Sequence, residues 1–263
     1  MLGKIVGAII GVWTGGFIGF LVGLFLGHLF DKLLPFILVG SFKKIIVKHQ
    51  AQIQQTFFES TFLVMGHIAK ADGRVTEEEI QLARQVMQRL QLDEATTRQA
   101  MHLFGTGKAA DFDLATQLEK LRLAISRHRG LCQMFIEIQL AAGYANGVLD
   151  RTEREILLKI CSALGFSEVE LERLEGMIKA EIHMNQPGRT AGMTLEDAYA
   201  ILSVSADASD SEIKRAYRRL TSQHHPDKLQ AKGLPKEMMR IAEEKTHEIR
   251  TAYERIRDER GFK

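Results

Sequence analysis

The sequence predicts an all-α protein, and three observations carry that prediction. Apolar residues recur at helical spacing along the chain, as in Phe58, Phe62, Met65 and Ala69 or Ile213, Ala216, Tyr217 and Leu220. The four prolines, Pro35, Pro187, Pro226 and Pro235, each fall at a break in that pattern, where a missing N–H does least harm to a helix. Windows that alternate apolar and polar residues, the mark of half-buried strands, are absent. The 263 residues have room for one to three compact units. The pattern divides them into an apolar anchor (1–32), a juxtamembrane segment (33–51), a helical domain (52–184), a linker (185–193) and a C-terminal helical module (194–263).

From Ile5 to Gly27 the chain has 23 residues without a charge. At ~1.5 Å per residue a helix of this length spans ~35 Å, enough for a hydrocarbon core of ~30 Å. A signal peptide would carry a shorter apolar run and a small-residue cleavage site, whereas Gly27-His28-Leu29-Phe30-Asp31-Lys32 follows here, so a retained anchor is expected. Lys4 alone precedes the span, and Lys32, Lys43, Lys44 and Lys48 follow it. That excess places the short N-terminus outside and the bulk of the chain in the cytoplasm. The same lysines suit anionic lipid headgroups. Leu33 to Val39 is too short for a second crossing and reads as interfacial or packed on the next domain.

Gly3, Gly7, Gly11, Gly15, Gly19, Gly23 and Gly27 recur at every fourth residue. Repeated G-x-x-x-G lets membrane helices approach backbone to backbone, so self-association through Gly7, Gly11, Gly15, Gly19 and Gly23 is expected. Four residues turn ~400°, so the stripe drifts ~40° per step. A straight pair therefore uses three or four adjacent glycines, and the expected product is a homodimer, or a higher oligomer using more than one face.

The central segment repeats itself at an offset of 74 residues. Asp72-Gly73-Arg74-Val75-Thr76, Glu79 and Leu90-Gln91-Leu92-Asp93-Glu94 have counterparts in Asn146-Gly147-Val148-Leu149-Asp150, Glu153 and Leu164-Gly165-Phe166-Ser167-Glu168. Each copy predicts a helix, a tight turn and a second helix begun by a capping residue. Thr76 with Glu79 and Asp150 with Glu153 read as N-cap and N3 pairs. Asp72, Glu79, Asp150 and Glu153 are also hard oxygen ligands, so a divalent cation is the alternative, although Asn146 removes an acid from the second copy. These motifs resemble the TerB-like helical fold, whose acidic turns can bind such a cation. His67 lies on an apolar helix face and is expected to pack. Arg122, Arg127, His128 and Arg129 read as a solvated helix end. Cys132 and Cys161 are too far apart and too isolated for a zinc pattern, and are expected to be buried free thiols. No nucleophile and base pairing, glycine-rich phosphate loop or ligand cluster stands out, so a binding platform is favoured over an enzyme and no cofactor is expected. A net charge of +2 gives no overall attraction for nucleic acid.

After the linker, three segments share the spacing i, i+3, i+4, i+7: Leu195, Ala198, Tyr199, Leu202; Ile213, Ala216, Tyr217, Leu220; and Ile249, Ala252, Tyr253, Ile256. Thr194 with Asp197 and Ser209 with Glu212 fit capping boxes, and Pro235 sits where the third helix should begin. For their stripes to meet, the second and third helices must run antiparallel, which exposes their connection. Residues 211–228 carry a local charge of +3, with Lys214, Arg215, Arg218 and Arg219 away from the apolar stripe. Such a surface steers toward an acidic patch.

Glu212-Ile213-Lys214-Arg215-Ala216-Tyr217-Arg218-Arg219-Leu220, followed by His225-Pro226-Asp227-Lys228 and Ile249-Arg250-Thr251-Ala252-Tyr253-Glu254, resembles the J-domain, the module that drives DnaK-type chaperones. Ser203 departs from the glycine usual after the first helix, and Thr246 from a usual aromatic. The resemblance implies that Asp227 pairs with a partner arginine, that His225 holds the loop or the contact, and that Pro226 stiffens the turn between them. ATP hydrolysis would then be the partner's chemistry. With its anchor and TerB-like middle, the whole chain resembles the membrane-anchored J-proteins of Gram-negative bacteria. This implies a co-chaperone that recruits DnaK to the inner membrane and stimulates its ATPase, in some members with a link to envelope-stress and capsule signalling. Neither a Gly/Phe-rich stretch nor repeated Cys-x-x-Cys-x-Gly follows the module, so clients are not legible. A signalling or ion-stress scaffold that uses the J-module only for docking is the competing reading.

Overall fold

Helix begins almost at the N-terminus, because Ile5 to Gly27 carries neither a charge nor a proline. The computed structural model describes residues 2–71, 87–88, 90–144, 147–184 and 193–262. All regular structure among them is helical. Helix α1 runs Leu2–Ala69 but is interrupted at Gly15 and Gly16, the latter at φ 59°, ψ −137°, a left-handed conformation open to glycine. The two glycines are adjacent, and glycine is the weakest ordinary helix former. The expected apolar helix is present, with this interruption inside it. The chain folds back there, and the Lys4 backbone N–H donates to Asp31 Oδ2 at 3.2 Å. Gly11 and Gly19 meet backbone to backbone within one chain, with no room for a side-chain carbon on either. By length and composition Lys4–Lys32 is the one described helix able to cross a membrane. Its side chains suit lipid: Ile9, Trp13, Phe17, Ile18 and Phe25 are all exposed, Trp13 to 92%.

Residues 52–263 form a second, compact unit. After the C-terminal part of α1 come α2 (Glu94–Gly107), α3 (Leu114–Ile125), α4 (Arg129–Gly143), α5 (Arg151–Leu164) and α6 (Glu168–Met184). Helix α4 is the centre of this layer. Leu131, Cys132, Met134, Phe135, Ile136 and Leu140 are buried all round it, and Phe135 meets Phe57 of α1 edge to face at 5.7 Å. Gly66 and Gly107 let α1 and α2 touch through their backbones, at the Phe104 and Leu63 carbonyls respectively.

The repeat survives in the backbone wherever both copies are described. Gln91 (φ 51°) and Gly165 (φ 75°), 74 positions apart, end their helices in the left-handed conformation. Leu92 N–H reaches Met87 O at 3.3 Å, and Phe166 N–H reaches Cys161 O at 2.8 Å, the same bond in each copy. Asp93 and Ser167 then cap the helices that follow. Asp72, Gly73, Arg74, Val75, Thr76, Glu79 and Asn146, and the linker residues 185–192, lie outside the described residues.

The C-terminal module contains α7 (Leu195–Leu202), α8 (Asp210–His224), α9 (Pro226–Lys232), a 3₁₀ turn (Lys236–Met238) and α10 (Met239–Arg260). Both expected capping boxes are present, Thr194 with Asp197 and Ser209 with Glu212. Tyr217 stacks on Tyr253 at 4.2 Å, and seven residues further along α8 His224 meets Thr246, seven residues back along α10. That pairing makes the two helices antiparallel, as their stripes require. Ile213, Leu220, Ile249, Ala252 and Ile256 fill the seam.

Candidate functional site

The connection between α8 and α10 is short and rigid. His225 has φ −58° and ψ 121°, the extended geometry that a following proline enforces. Pro226 occupies the first turn of α9, where no N–H is needed, and Gly233 closes that helix at φ 109°. The first part of this connection, Pro226–Lys232, is therefore a helix of two turns. Asp227 and Lys228 are exposed on its first turn, and Lys228 Nζ donates to Ser222 Oγ at 2.7 Å across the bend. Pro226 and His225 are half-buried, and His225 Nδ1 is covered without a protein hydrogen bond.

The basic residues expected along α8 divide by environment. Arg215, Arg218 and Arg219 are exposed, while Lys214 is half-buried, with its ammonium 5.1 Å from the Phe262 ring. Partial burial and the nearby charge of Arg173 both lower the pKa of Arg219. The exposed guanidiniums and Asp227 belong to one continuous segment, α8 and the turn that ends it. They form a cationic helix face ending in one carboxylate.

The residue before the His-Pro-Asp turn is the opposite case. His224 is 1% exposed and bonds through both ring nitrogens, Nδ1 to Leu220 O at 3.0 Å and Nε2 to Glu137 on α4 at 2.9–3.0 Å. Two oxygen acceptors on one imidazole require two N–H donors, which is the imidazolium. Burial works against that charge, but the Glu137 charge and its hydrogen bond outweigh it and raise the His224 pKa. Burial likewise favours a neutral Glu137, yet His224, Lys245 and Gln133 together hold its carboxyl below the usual range. Thr246, in place of an aromatic, shares its one hydroxyl proton between the His224 carbonyl (3.0 Å) and Ala242 O (2.8 Å), serving a helix-end acceptor beside the turn. Glu137 and Lys245 escaped sequence reasoning, which marked Thr246 only as a departure from a usual aromatic. The one available signal was an acid set inside the apolar run Met134-Phe135-Ile136-Glu137-Ile138.

Other expected sites resolve differently. Asp150 and Glu153 bond each other's backbone at 2.8 and 3.0 Å in a full capping box. No group of metal-ligating side chains occurs among the described residues. His67 packs on Phe112 at 5.3 Å, and burial, with Lys159 and Lys70, lowers its pKa. Arg129 is not merely solvated, because it pairs with Glu170, donates to Gly165 O and lies 4.1 Å from the Phe166 ring. Cys132 and Cys161 are buried free thiols, pushed up by burial to about 11 and about 12.

An antiparallel pair with a basic helix and a stiff His-Pro-Asp turn defines a J-domain co-chaperone, here joined to a helical TerB-type domain. Family comparison gives the same three parts. The chain matches the DnaJ domain over residues 197–261, the tellurite resistance protein TerB family over 59–176, and the co-chaperone DjlA transmembrane domain over 1–53. Proteins named co-chaperone protein DjlA are similar over the full length. The one from Vibrio vulnificus strain YJ016 is 44% identical, covering 100% of this chain and 99% of that protein. The Shewanella oneidensis protein is 43% identical over 99% and 98%. The Pasteurella multocida protein is 40% identical over 100% and 99%. The chain belongs to the DjlA family of membrane-anchored co-chaperones. No solved structure matches it.

Proposed function

We propose that this protein recruits a DnaK-type chaperone to the inner membrane and stimulates its ATPase, with the soluble unit on the cytoplasmic side. The observation that carries the reading is the split around residue 225. Arg215, Arg218, Arg219, Asp227 and Lys228 are open to a partner, while His224 is locked inside. The cationic face of α8 steers toward an acidic surface. Asp227, held by the proline turn, then offers a carboxylate to a partner guanidinium, with His225 beside it, and two parallel charge-assisted bonds fix orientation. The ATP-hydrolysing groups belong to the partner. In full-length protein in lipid nanodiscs, Asp227→Asn keeps the shape and removes the charge. It should abolish ATPase stimulation by the chain, and retained stimulation would refute the reading.

The orientation follows from the lysines after the span, and self-association from Gly7, Gly11, Gly15, Gly19 and Gly23. A second topology has an observation of its own. The fold-back at Gly15 and Gly16 brings Lys4 to Asp31, which suits a hairpin with both ends on one face. Protease access to an N-terminal tag in sealed inverted vesicles separates the two. Protection supports the crossing, and cleavage supports the hairpin. Gly7→Leu with Gly23→Leu, which leaves the Gly11–Gly19 contact within the chain in place, should abolish self-association in a membrane reporter, and unchanged association would refute it.

A further inference from the structure

The J-module does not hang from its linker; it is seated on the central domain. Glu137 of α4, Glu181 of α6, and His224, Lys245 and Glu248 of the J-module are all buried at this seam, none more than 8% exposed. Lys245 pairs with Glu181 across the two domains and lies 3.6 Å from Glu248. Gln133 donates to Glu137 at 2.8 Å. Expelling the His224 proton removes the cation to which the buried Glu137 carboxylate is bonded. Gly130 at the start of α4 lies close against the J-module. A side-chain carbon there would meet the Gln223 carbonyl at 2.9 Å and Leu229 at 3.3 Å. All these contacts converge on the residues flanking the His-Pro-Asp turn and leave its Asp227 side open.

We propose that Glu137 is a positioning residue for the His225-Pro226-Asp227 trigger. By holding His224 from the central domain, it fixes the orientation in which the chain presents the turn to its partner. This rests on the co-chaperone reading. A J-module released from the seam would sample many orientations, and apparent affinity falls in proportion to the competent fraction. The groups facing His224 are Glu137 from α4 and Lys245 from α10, with Glu181 and Glu248 completing the cluster. Because the docked His224 pKa is raised above 6.5, its contribution is complete below that value and is lost as pH rises through the docked value. Because the docked Glu137 pKa is below 4.5, its contribution is complete above that value and is lost as pH falls through the docked one. Docking is therefore strongest between these limits.

The test uses full-length protein in nanodiscs with a purified DnaK-type chaperone. Glu137→Gln should lower the His224 titration midpoint, read by histidine NMR, by about one pH unit or more. It should raise the half-stimulating concentration roughly fivefold, with the plateau within about twofold of wild type. The wild-type concentration should climb as pH passes the His224 midpoint, and the ratio of variant to wild type should shrink there. A merely destabilising change would not produce that pH profile. Gly130→Val wedges the same seam without touching a charge and should raise the half-stimulating concentration as well, which covers the case of a Glu137 variant that folds poorly. An unmoved His224 titration, an unchanged half-stimulating concentration in both variants, or a lower one would overturn the proposal. If the wild type fails to stimulate, or His225→Gln stimulates as well as wild type, the co-chaperone reading itself falls. The His224 titration reports the docking independently of that outcome.

Discussion

Replacing Lys245 by methionine isolates the energetic core of the seam. The side chain is 7% exposed, pairs with Glu181, lies near Glu248, and feels Glu137 as well. Methionine keeps much of the volume and removes the cation that pairs with Glu181 and lies near Glu248. Breaking a buried pair in this way costs about 3–5 kcal/mol, far more than loss of an exposed ion pair. The only tryptophan is Trp13, in the anchor, so its fluorescence does not report this region. Hydrogen exchange followed by mass spectrometry does. Amides of α8 and α10 should exchange roughly 150-fold faster at neutral pH, the equivalent of about 3 kcal/mol. After correction for intrinsic rates, the deficit should shrink as pH falls, because protonating the carboxylates that faced Lys245 removes their charge. Exchange within about threefold of wild type at neutral pH would show that the cluster does not hold the J-module.

Two smaller changes probe the frame around the turn. Ser203 ends α7 at φ 53°, ψ 47°, where a non-glycine residue costs about 1–2 kcal/mol. Ser203→Gly should slow exchange in α7, although glycine's extra freedom in the unfolded chain offsets part of the gain. Thr246→Val keeps the shape of the side chain and removes the donor to His224 O, so α8 should fray at its C-terminus by about 1 kcal/mol. Unchanged exchange at residues 221–225 would count against the bond.

Local rules made much of the soluble fold legible. The capping boxes at Thr194, Ser209 and Asp150 follow from a side chain meeting a donor three residues on, and all three formed. The antiparallel pairing of α8 with α10 followed from stripes that had to be buried. What was not legible depends on distant or competing neighbours. Nothing near Glu137 in sequence announces His224, which lies 87 positions away. Lys245 reads as an ordinary solvated lysine until Glu181 is placed opposite it. In the anchor, the four-residue stripe drew attention away from the adjacent pair Gly15-Gly16, where the helix breaks. Gln91 in the left-handed region shows the repeat more directly than composition does, because a glutamine there copies the conformation of Gly165.

The central claim is that the turn at residues 225–227 triggers hydrolysis in a partner. Single-turnover hydrolysis of ATP preloaded on a DnaK-type chaperone, with the full-length chain in nanodiscs, tests this most directly. Wild type should accelerate the hydrolysis step, while His225→Gln should leave it at the chaperone's own rate with unaltered helical content. Equal acceleration by both proteins, or none by the wild type, would contradict the account.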